Sequence, residues 1–367
     1  MDFKDLKIND NMINVLKQNG IESPTPIQEK SILPIMYGRD IIAQAKTGTG
    51  KTLAFLLPIF EQISADSKNV QALILTPTRE LALQITEEAK KLSKAKEINI
   101  LAAYGGKDIS GQINKLKGNV QLVIATPGRL LDHINRKTID LSKLKMFVLD
   151  EADQMLFIGF KNEIEAILKE TPKNKQNLCF SATIDSQVKK LMYRYMVNPE
   201  IISIDTSTEV LPNIKQEIVE TTDRKKLDAL VTTLKEDNPF MSIIFCRTKR
   251  RVDKLDAELK QRGFNCDKIH SDISQAKREK TMKSFRDLKV QYLIATDVAS
   301  RGLDIGGVDS IYNYDIPEQY EDYIHRMGRT GRSGEKGYTC TFISPKNNNM
   351  LYEIEKRLGF KIVRREV

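Results

Sequence analysis

The sequence predicts an α/β protein with two tandem domains, each built on a parallel β-sheet that is covered by helices on both faces. Short apolar runs typical of buried strands alternate with amphipathic helical runs along almost the whole chain. The chain has 367 residues, a length that suits about two domains. A polar, β-branched stretch at 205–213 divides it into two similar halves. We therefore expect a domain at 1–205, a linker at 206–213 and a second domain at 214–367.

The individual elements follow from hydrophobic periodicity. Short apolar runs indicate buried strands, and apolar residues spaced three or four positions apart indicate helices. The first pattern predicts strands at 40–43, 72–75, 122–125, 146–149, 177–180, 242–245, 292–295, 310–313 and 340–343. The second pattern predicts helices at 53–63, 80–92, 186–196, 225–234 and 251–262.

Composition places the chain among globular proteins, with 40% hydrophobic and 29% charged residues. No apolar run approaches the roughly 20 residues that span a bilayer, and no apolar signal segment follows Met1. We therefore expect a cytoplasmic protein without a membrane partner. The net charge of +9 favours a polyanionic partner. Four scattered cysteines and only three histidines predict no metal-ligand cluster of these residue types.

A glycine-rich loop lies between the predicted strand at 40–43 and the predicted helix at 53–63. Glycines let backbone N–H groups turn toward phosphate oxygens, and a helix N-terminus adds partial positive charge. Lys51 would reach the β- and γ-phosphates of ATP, and Thr52 would ligate Mg²⁺. An ordinary turn is the alternative, but the strand–loop–helix order favours a phosphate-binding loop. The loop comprises Ala45, Lys46, Thr47, Gly48, Thr49, Gly50, Lys51 and Thr52.

Acidic residues follow the predicted strand at 146–149. This position is typical of a Walker-B strand, in which Asp150 would hold Mg²⁺ and Glu151 would orient and activate the attacking water. A solvated acidic turn is the alternative. It is less consistent with a domain that also carries the phosphate-binding loop.

The segment around Gln28 has two interpretations. Thr25, Pro26 and Gln28 fit a helix N-cap, a proline at the first helical position and a capping-box glutamine, and this structural interpretation is favoured by the residues alone. Alternatively, the Gln28 amide, which both donates and accepts, reads the edge of adenine.

Three further strand ends or turns carry hydroxyl, glycine and cationic residues. Such groups at free helix N-termini suit a phosphodiester backbone, although each turn taken singly is better explained as an ordinary turn. Three on one sheet edge favour a nucleic-acid contact. The turns contain Pro77, Thr78 and Arg79; Gly105 and Gly106; and Thr126, Pro127, Gly128 and Arg129.

Taken in order along nearly the whole chain, these motifs resemble those of the DEAD-box family of ATP-dependent RNA helicases, whose name-giving motif stands at 150–153. The resemblance implies two RecA-like domains that bind ATP and Mg²⁺. The segment at 20–28, with the upstream aromatic Phe3, looks like the family's adenine-reading Q motif. Ile21 replaces its usual aromatic residue, and Lys46 replaces a usual glutamine in the phosphate-binding loop.

The resemblance also assigns roles that completing the ATP site requires. Arg329 and Arg332 would be arginine fingers supplied to the γ-phosphate by the second domain, so that closure of the two domains completes the site. His325 would link to the acidic motif and the attacking water. Asp304, near Gly302, would bond the ribose hydroxyls.

Further assigned roles concern RNA and coupling. Ser181 and Thr183 would couple ATP hydrolysis to strand separation. The three turns described above would grip one RNA strand from the first domain, by contacts to its backbone that read little sequence and weaken with salt. The corresponding residues of the second domain are Arg247, Thr248, Gln275, Arg278, Thr296 and Arg301.

The resulting hypothesis is an ATPase that unwinds short RNA duplexes locally, with ATP and RNA each raising the other's affinity. The first alternative is an ATP-gated RNA clamp that remodels RNA–protein complexes with little net unwinding. The second is a DNA translocase. We expect a monomer, and protein partners from ribosome assembly or RNA decay would fit.

Overall fold

The computed structural model describes residues 1–45, 48–106, 108–204, 213–300, 308–331 and 336–367. The chain forms two compact units, Met1–Asp205 and Thr206–Val367. Each unit contains one seven-stranded sheet in which all described pairings are parallel, so the predicted fold class is confirmed. Most of the predicted linker, at 206–212, lies outside the described residues. No helix in the described ranges is both long and apolar enough to cross a bilayer.

The first unit alternates strands and helices. Its strands are β1 (Ile41–Gln44), β2 (Ala72–Leu75), β3 (Ile100–Ala103), β4 (Leu122–Ala125), β5 (Met146–Asp150), β6 (Gln176–Ser181) and β7 (Glu200–Ser203). Its helices are α1 (Asp10–Gln18), α2 (Pro26–Met36), α3 (Lys51–Gln62), α4 (Arg79–Leu92), α5 (Ile109–Leu116), α6 (Pro127–Asn135), α7 (Ala152–Ile158), α8 (Lys161–Lys169) and α9 (Ser186–Met192).

The first sheet is buried on both faces and has the strand order β3-β4-β2-β5-β6-β1-β7. Successive strand residues point to opposite faces, so a strand with helices on both sides is apolar throughout. On β5, Val148 packs with the cluster that contains α3 and α4, whereas Phe147 and Leu149 pack with the cluster of α6 to α9. This double burial is why four consecutive apolar residues were sufficient to predict the strands.

The second unit repeats the plan with the strand order β10-β11-β9-β12-β13-β8-β14. Its strands are β8 (Ile214–Glu220), β9 (Ser242–Phe245), β10 (Cys266–Ile269), β11 (Tyr292–Ala295), β12 (Ser310–Asn313), β13 (Gly337–Ile343) and β14 (Val363–Arg365). Its helices are α10 (Lys226–Asp237), α11 (Lys249–Gln261), α12 (Gln275–Arg286), α13 (Asp297–Ser300), α14 (Tyr320–Met327) and α15 (Asn348–Leu358), with a 3-10 helix at Pro345–Asn347.

The largest disagreement with the sequence prediction is the helix expected at 186–196, which ends at Met192. Side chains from elsewhere bind the backbone groups beyond that point. Asn177 Nδ2 donates to Tyr195 O (2.9 Å), and Val197 N donates to Asp40 Oδ2 (2.8 Å). The periodicity of apolar residues does not reveal these hydrogen bonds, because the side chains of Asn177 and Asp40 are distant in sequence from the backbone groups that they bind.

Asp40 ties three segments of the first unit together at the start of β1. Its side chain is only 8% exposed. Its carboxylate accepts from Asn177 N (2.7 Å) as well as from Val197 N, and so joins β1 to the start of β6 and to the segment before β7. A buried backbone N–H that loses its acceptor is costly, which makes Asp40 a structural anchor.

We expect Asp40→Ala to lower the free energy of unfolding by about 2–3 kcal/mol, because it leaves the buried Asn177 N–H without its acceptor. Urea unfolding of the intact chain measures the change. Asp66→Ala is the matched control, since Asp66 is exposed and makes no hydrogen bond or ion pair with a described residue. Equal stability of the two variants would contradict the anchor role.

Candidate functional site

The predicted site residues of the first unit converge on one edge of its sheet. The strands are parallel, so their carboxyl ends meet at this edge. The last or next-to-last residues of neighbouring strands pair with one another: Ala103 with Ala125, Ala125 with Leu75, Leu75 with Leu149, Asp150 with Phe180, and Ser181 with Gln44. The phosphate-binding loop follows β1 and the acidic motif follows β5, with β6 between them. The three turns predicted to contact RNA follow β2, β3 and β4.

The described part of the phosphate-binding loop has the backbone conformation that glycines permit. Gly48 and Gly50 have φ angles of 84° and 94°, in the left-handed region. A Cβ at Gly50 would lie 2.5 Å from Gln28 Nε2, so a side chain is also excluded by space. At the start of the loop, Ala45 N donates to Ser181 O (3.0 Å) and thereby extends the pairing with β6. Lys46 and Thr47 lie outside the described residues, and Thr49 is half-buried.

Lys51 and Thr52 are the first two residues of α3, with Gly50 as its N-cap. Lys51 is only 6% exposed, and its Nζ has no hydrogen-bond acceptor among the described residues. A buried ammonium group without an acceptor is unfavourable until an anion reaches it. Together with the free N–H groups of the helix N-terminus, Lys51 therefore fits a bound phosphate.

Asp150 and Glu151 close β5 beside this loop. Asp150 is 3% exposed, and its Oδ1 accepts from Glu151 N (3.0 Å). Burial raises the pKa of Asp150 to about 7, although the positive charge of Lys51 acts in the opposite direction. Glu151 is held at φ 53° and ψ 51°, a conformation that residues other than glycine rarely adopt and that often marks functional sites. A carboxylate pair in these two environments fits a metal ligand and a proton acceptor.

Gln28 joins α2 to the phosphate-binding loop. Its Oε1 accepts from Thr25 N (3.0 Å), and its Nε2 donates to Gly50 O (2.9 Å). The capping-box prediction is thus confirmed, and Pro26 is the first residue of α2. An amide retains a second N–H and a second oxygen lone pair in this arrangement. Adenine reading by Gln28 stays a prediction.

Phe3 and Ile21, assigned to the nucleotide by resemblance, do not present open side chains. Phe3 is 2% exposed and belongs to the hydrophobic core beneath α1 to α3, so its ring has no surface available to a ligand in this structure. Ile21 is half-buried against the same core. In this structure Phe3 has a packing role, and its assignment to the nucleotide stays a prediction.

Ser181 and Thr183 are bound directly to the acidic motif. Asp153 N donates to Ser181 Oγ (3.1 Å). Thr183 donates from both its N and its Oγ1 to Asp153 Oδ2, each at 2.9 Å. Hydrogen bonds therefore join the end of β6 directly to the start of α7. The coupling prediction requires such a link.

The turn after β2 leads into α4, and its Arg79 side chain lies against the turn after β3. Thr78, whose Oγ1 accepts from Leu81 N (3.2 Å), is the N-cap of α4, and Pro77 is buried before it. Arg79 Nη2 would lie 3.2 Å from a Cβ at Gly105, which is on the neighbouring turn. Glycine at 105 thus leaves room for the guanidinium group.

The turns after β3 and β4 also expose backbone. Gly106 has a φ angle of 85°. Thr126 is the N-cap of α6, Pro127 is its first residue, Gly128 is exposed and Arg129 is half-buried. Three adjacent turns therefore offer helix N-termini, hydroxyls and guanidinium groups at one edge, as expected for a phosphodiester contact.

In the second unit, Arg247 and Thr248 follow β9 as predicted. Thr248 Oγ1 caps α11 by accepting from Arg251 N (3.3 Å). Arg247 N donates to Asp315 Oδ2 (3.0 Å), and its side chain is 44% exposed. Arg247 is thus fixed at its backbone with its side chain reaching solvent.

Other residues predicted to contact RNA are enclosed. Gln275 and Arg278 are 6% and 9% exposed, and Thr296 is 9% exposed. Gln275 Nε2 donates to Glu279 Oε1 (3.2 Å), and Arg278 Nη2 donates to Ala299 O (3.5 Å). In this structure these side chains pack inside the unit, and their assignment as RNA contacts stays a prediction. Arg301, Gly302, Asp304 and Arg332 lie outside the described residues.

Arg326 connects several segments of the second unit. The sequence analysis did not identify this role. The Arg326 side chain is 2% exposed. Its Nε and Nη2 donate to Asp297 Oδ1 (2.6 Å) and Oδ2 (2.7 Å), and its Nη1 donates to Asp315 O (2.6 Å). Its guanidinium carbon lies 4.9 Å from the centre of the Phe245 ring. The one available signal was Asp297, an acidic residue directly after an apolar strand.

His325 and Arg329, which lie close to Arg326 in the sequence, differ in environment. His325 is half-buried on α14, which ends at Met327. Arg329 lies beyond the end of that helix. Arg329 is 4% exposed, and its N donates to Arg326 O (3.1 Å).

Comparison with known proteins gives a consistent result. Residues 25–191 match the family model for DEAD/DEAH box helicases, and residues 225–334 match that for the helicase conserved C-terminal domain. The chain is 46% identical to ATP-dependent RNA helicase CshA of Limosilactobacillus reuteri over 97% of this chain and 72% of that protein. It is 47% identical to CshA of Listeria monocytogenes over 96% of this chain and 68% of that protein.

Among solved structures, S. cerevisiae Dbp5 bound to RNA and ADP BeF3 superposes with a TM-score of 0.90, at 32% identity, covering all of this chain and 95% of that one. The family matches cover more than half of the sequence, and they fall on the two units that carry the phosphate-binding loop and the Arg326 network. The chain therefore belongs to the DEAD-box family of ATP-dependent RNA helicases.

Proposed function

We propose that this protein hydrolyses ATP when RNA is bound and uses that cycle to separate short RNA duplexes locally. The observation that carries the proposal is the arrangement of two kinds of groups along one edge of the first sheet. The groups predicted to bind phosphate and metal follow β1 and β5, and the turns predicted to contact the RNA backbone follow β2, β3 and β4. Dbp5, a similar protein of the same family, has been solved with both RNA and ADP BeF3.

The buried groups of the first unit suit the ATP chemistry. The buried Lys51 would bind the β- and γ-phosphates, and the positive φ at Gly48 and Gly50 would turn backbone toward them. Thr52 and Asp150 would hold Mg²⁺, which when bound supplies charge neutralisation to the phosphate oxygens. No three His, Cys, Asp or Glu side chains cluster in the described ranges, so the ion would take its other ligands from phosphate and water. Glu151 would accept the proton of the attacking water.

Hydrolysis would also require groups of the second unit. Arg329 and Arg332 are proposed as arginine fingers for the γ-phosphate, a contribution of about 10³–10⁵-fold in related nucleotide hydrolases. His325 would bind near the attacking water, and Asp304 with Gly302 would bind the ribose. Backbone bonding of Arg329 to Arg326 supports this proposal, because Arg326 is itself rigidly held by Asp297.

RNA would be held by its backbone from both units. Contacts to phosphate and sugar position a strand without reading its sequence, and contacts to the 2′-OH would select RNA over DNA. Holding one strand in a bent path would release its partner over a short distance. The proposed contacts are Thr78, Arg79, Gly106, Thr126, Gly128, Arg129, Arg247, Gln275, Arg278, Thr296 and Arg301.

Glu151→Gln is expected to lower kcat for ATP hydrolysis by about 10²–10⁴-fold, the usual contribution of a general base, while ATP and RNA still bind. Lys51→Ala, in contrast, should weaken ATP binding itself, because it removes the buried cation. Phosphate release and equilibrium binding of a fluorescent nucleotide separate the two effects. Near-normal turnover in Glu151→Gln would contradict the assigned role.

Gln28→Glu and Gln28→Ala together distinguish capping from adenine reading. Gln28→Glu keeps an acceptor for Thr25 N but loses the N–H that donates to Gly50 O. If Gln28 reads adenine, both variants should lose discrimination between ATP and GTP, measured as the ratio of their kcat/KM values. If Gln28→Glu keeps full discrimination, the amide is only a cap.

Strand release from a short RNA duplex, followed together with ATP consumption, tests the overall function. Helicase activity predicts release that depends on ATP and is faster than spontaneous dissociation, with DNA a poorer stimulator of hydrolysis than RNA. The affinity for RNA should fall steeply with added salt, since phosphate contacts dominate it. ATP-dependent retention of RNA without strand release would favour the clamp instead.

A further inference from the structure

A fully buried histidine lies behind the turns assigned to RNA. His133 is on α6, about two helical turns after Thr126, and it is 0% exposed. Its Nδ1 lies 2.8 Å from Thr138 Oγ1, and its Nε2 lies 2.9 Å from Gln112 Oε1. Neither the ATP chemistry nor the RNA contacts use it.

Gln112 carries the connection onward to the glycine turn. It lies on α5, is 6% exposed, and donates from Nε2 to Tyr104 O (3.2 Å), the residue directly before Gly105. Because its Nε2 is the donor, its Oε1 is the acceptor that faces His133. His133 Nε2 must therefore carry a proton.

The hydrogen bonds then form a directed chain. With the proton on Nε2, the neutral imidazole accepts at Nδ1 from the Thr138 hydroxyl, whose oxygen lies 2.8 Å from Nδ1 and also 3.1 Å from His133 O. The hydroxyl then gives its proton to the nearer acceptor, Nδ1. Burial lowers the pKa of His133, and the positive charge of Arg129 lowers it further, against the opposing charge of Asp132. The neutral Nε2–H form is thus favoured, and each bond in the chain has one donor and one acceptor.

We propose that His133 and Gln112 are positioning residues that fix the Gly105-Gly106 turn relative to the start of α6 for RNA binding. Two consecutive glycines have large conformational freedom, so a strand-binding turn made from them needs an external anchor. Gly105 also bounds the space of the Arg79 guanidinium group. The chain of bonds therefore connects the turns after β3 and β4, and Arg79 of the turn after β2 lies against Gly105. This inference rests on the proposed function, in which those turns contact RNA.

The chain offers a matched control. Gln121 is another buried glutamine of the first unit, 0% exposed. It lies directly before β4, at the amino-terminal ends of the strands and away from the RNA-binding turns. Its Oε1 accepts from Asn99 N (2.9 Å), and its Nε2 donates to Ser67 O (2.5 Å). Gln121→Ala therefore removes a comparable amide bridge without touching the RNA-binding turns.

The test measures RNA-stimulated ATP hydrolysis as a function of RNA concentration in the full chain. Gln112→Ala and His133→Ala are each expected to raise the RNA concentration for half-stimulation about fivefold, the factor for one hydrogen bond of ordinary net strength, with RNA-free hydrolysis unchanged. The double variant should be no weaker than either single one, because both break the same chain. His133→Gln keeps an N–H donor and should recover most of the affinity. Gln121→Ala should have no effect on the RNA dependence.

A spectroscopic measurement tests the geometry independently of RNA. The chain has three histidines, so ¹⁵N-labelled imidazoles give a resolvable spectrum. One of them should be a neutral Nε2–H tautomer at neutral pH that disappears in His133→Gln and shifts in Gln112→Ala. An Nδ1–H tautomer for His133, or unaltered RNA half-stimulation in both alanine variants, would overturn the inference. Absence of RNA stimulation in the unmodified chain would instead refute the proposed function, and the tautomer would still test the bond chain.

Discussion

Parallel pairing of the first sheet is the constraint on which the site depends. Because all its strands run the same way and end nearly in register, turns from distant parts of the sequence meet at one edge. Each turn there is followed by a helix whose first N–H groups have no acceptor within the helix itself, so the helix ends favour anions at this edge. The side chains then divide this anion-binding edge into two zones. Lys51, Asp150 and Glu151 define one, and Arg79 and Arg129 define the other.

Hydrogen bonding explains why this edge is rigid in some places and reserved for ligands in others. Gln28 spans α2 and Gly50, and Asp153 spans the end of β6 and α7, so these loop positions are fixed without a ligand. Lys51 Nζ, by contrast, is buried without an acceptor among the described residues, and burial raises the pKa of Asp150. The buried Lys51 ammonium group has no acceptor among the described residues, and burial disfavours the charged form of Asp150. Both are energetically costly when no ligand is bound. A phosphate with its metal ion would relieve both, which couples nucleotide binding to the stability of this edge.

Sequence reasoning predicted the fold and the phosphate-binding loop because their signals are local. Buried strands with apolar residues on both faces, and glycine–lysine–threonine at a strand–helix junction, can be recognised without knowing what packs against them. It failed where the deciding partner is remote. Met192 ends its helix because Asp40 and Asn177 bind the backbone that follows, and Arg326 is buried because Asp297 and Asp315 surround it. None of these partners can be paired from spacing alone.

The two units solve the same positioning problem with different chemistry. In the first unit, neutral amides and a neutral imidazole connect the turns, through Gln28, Gln112 and His133. In the second, the Arg326–Asp297 pair and the Asp315 carboxylate do so. Neutral bridges add no charge beside turns that must attract phosphate, whereas a fully buried arginine needs carboxylates to be stable at all. Burial of the ion pair also shields it from salt, so raising ionic strength should weaken the exposed phosphate contacts long before it loosens the scaffold that presents them.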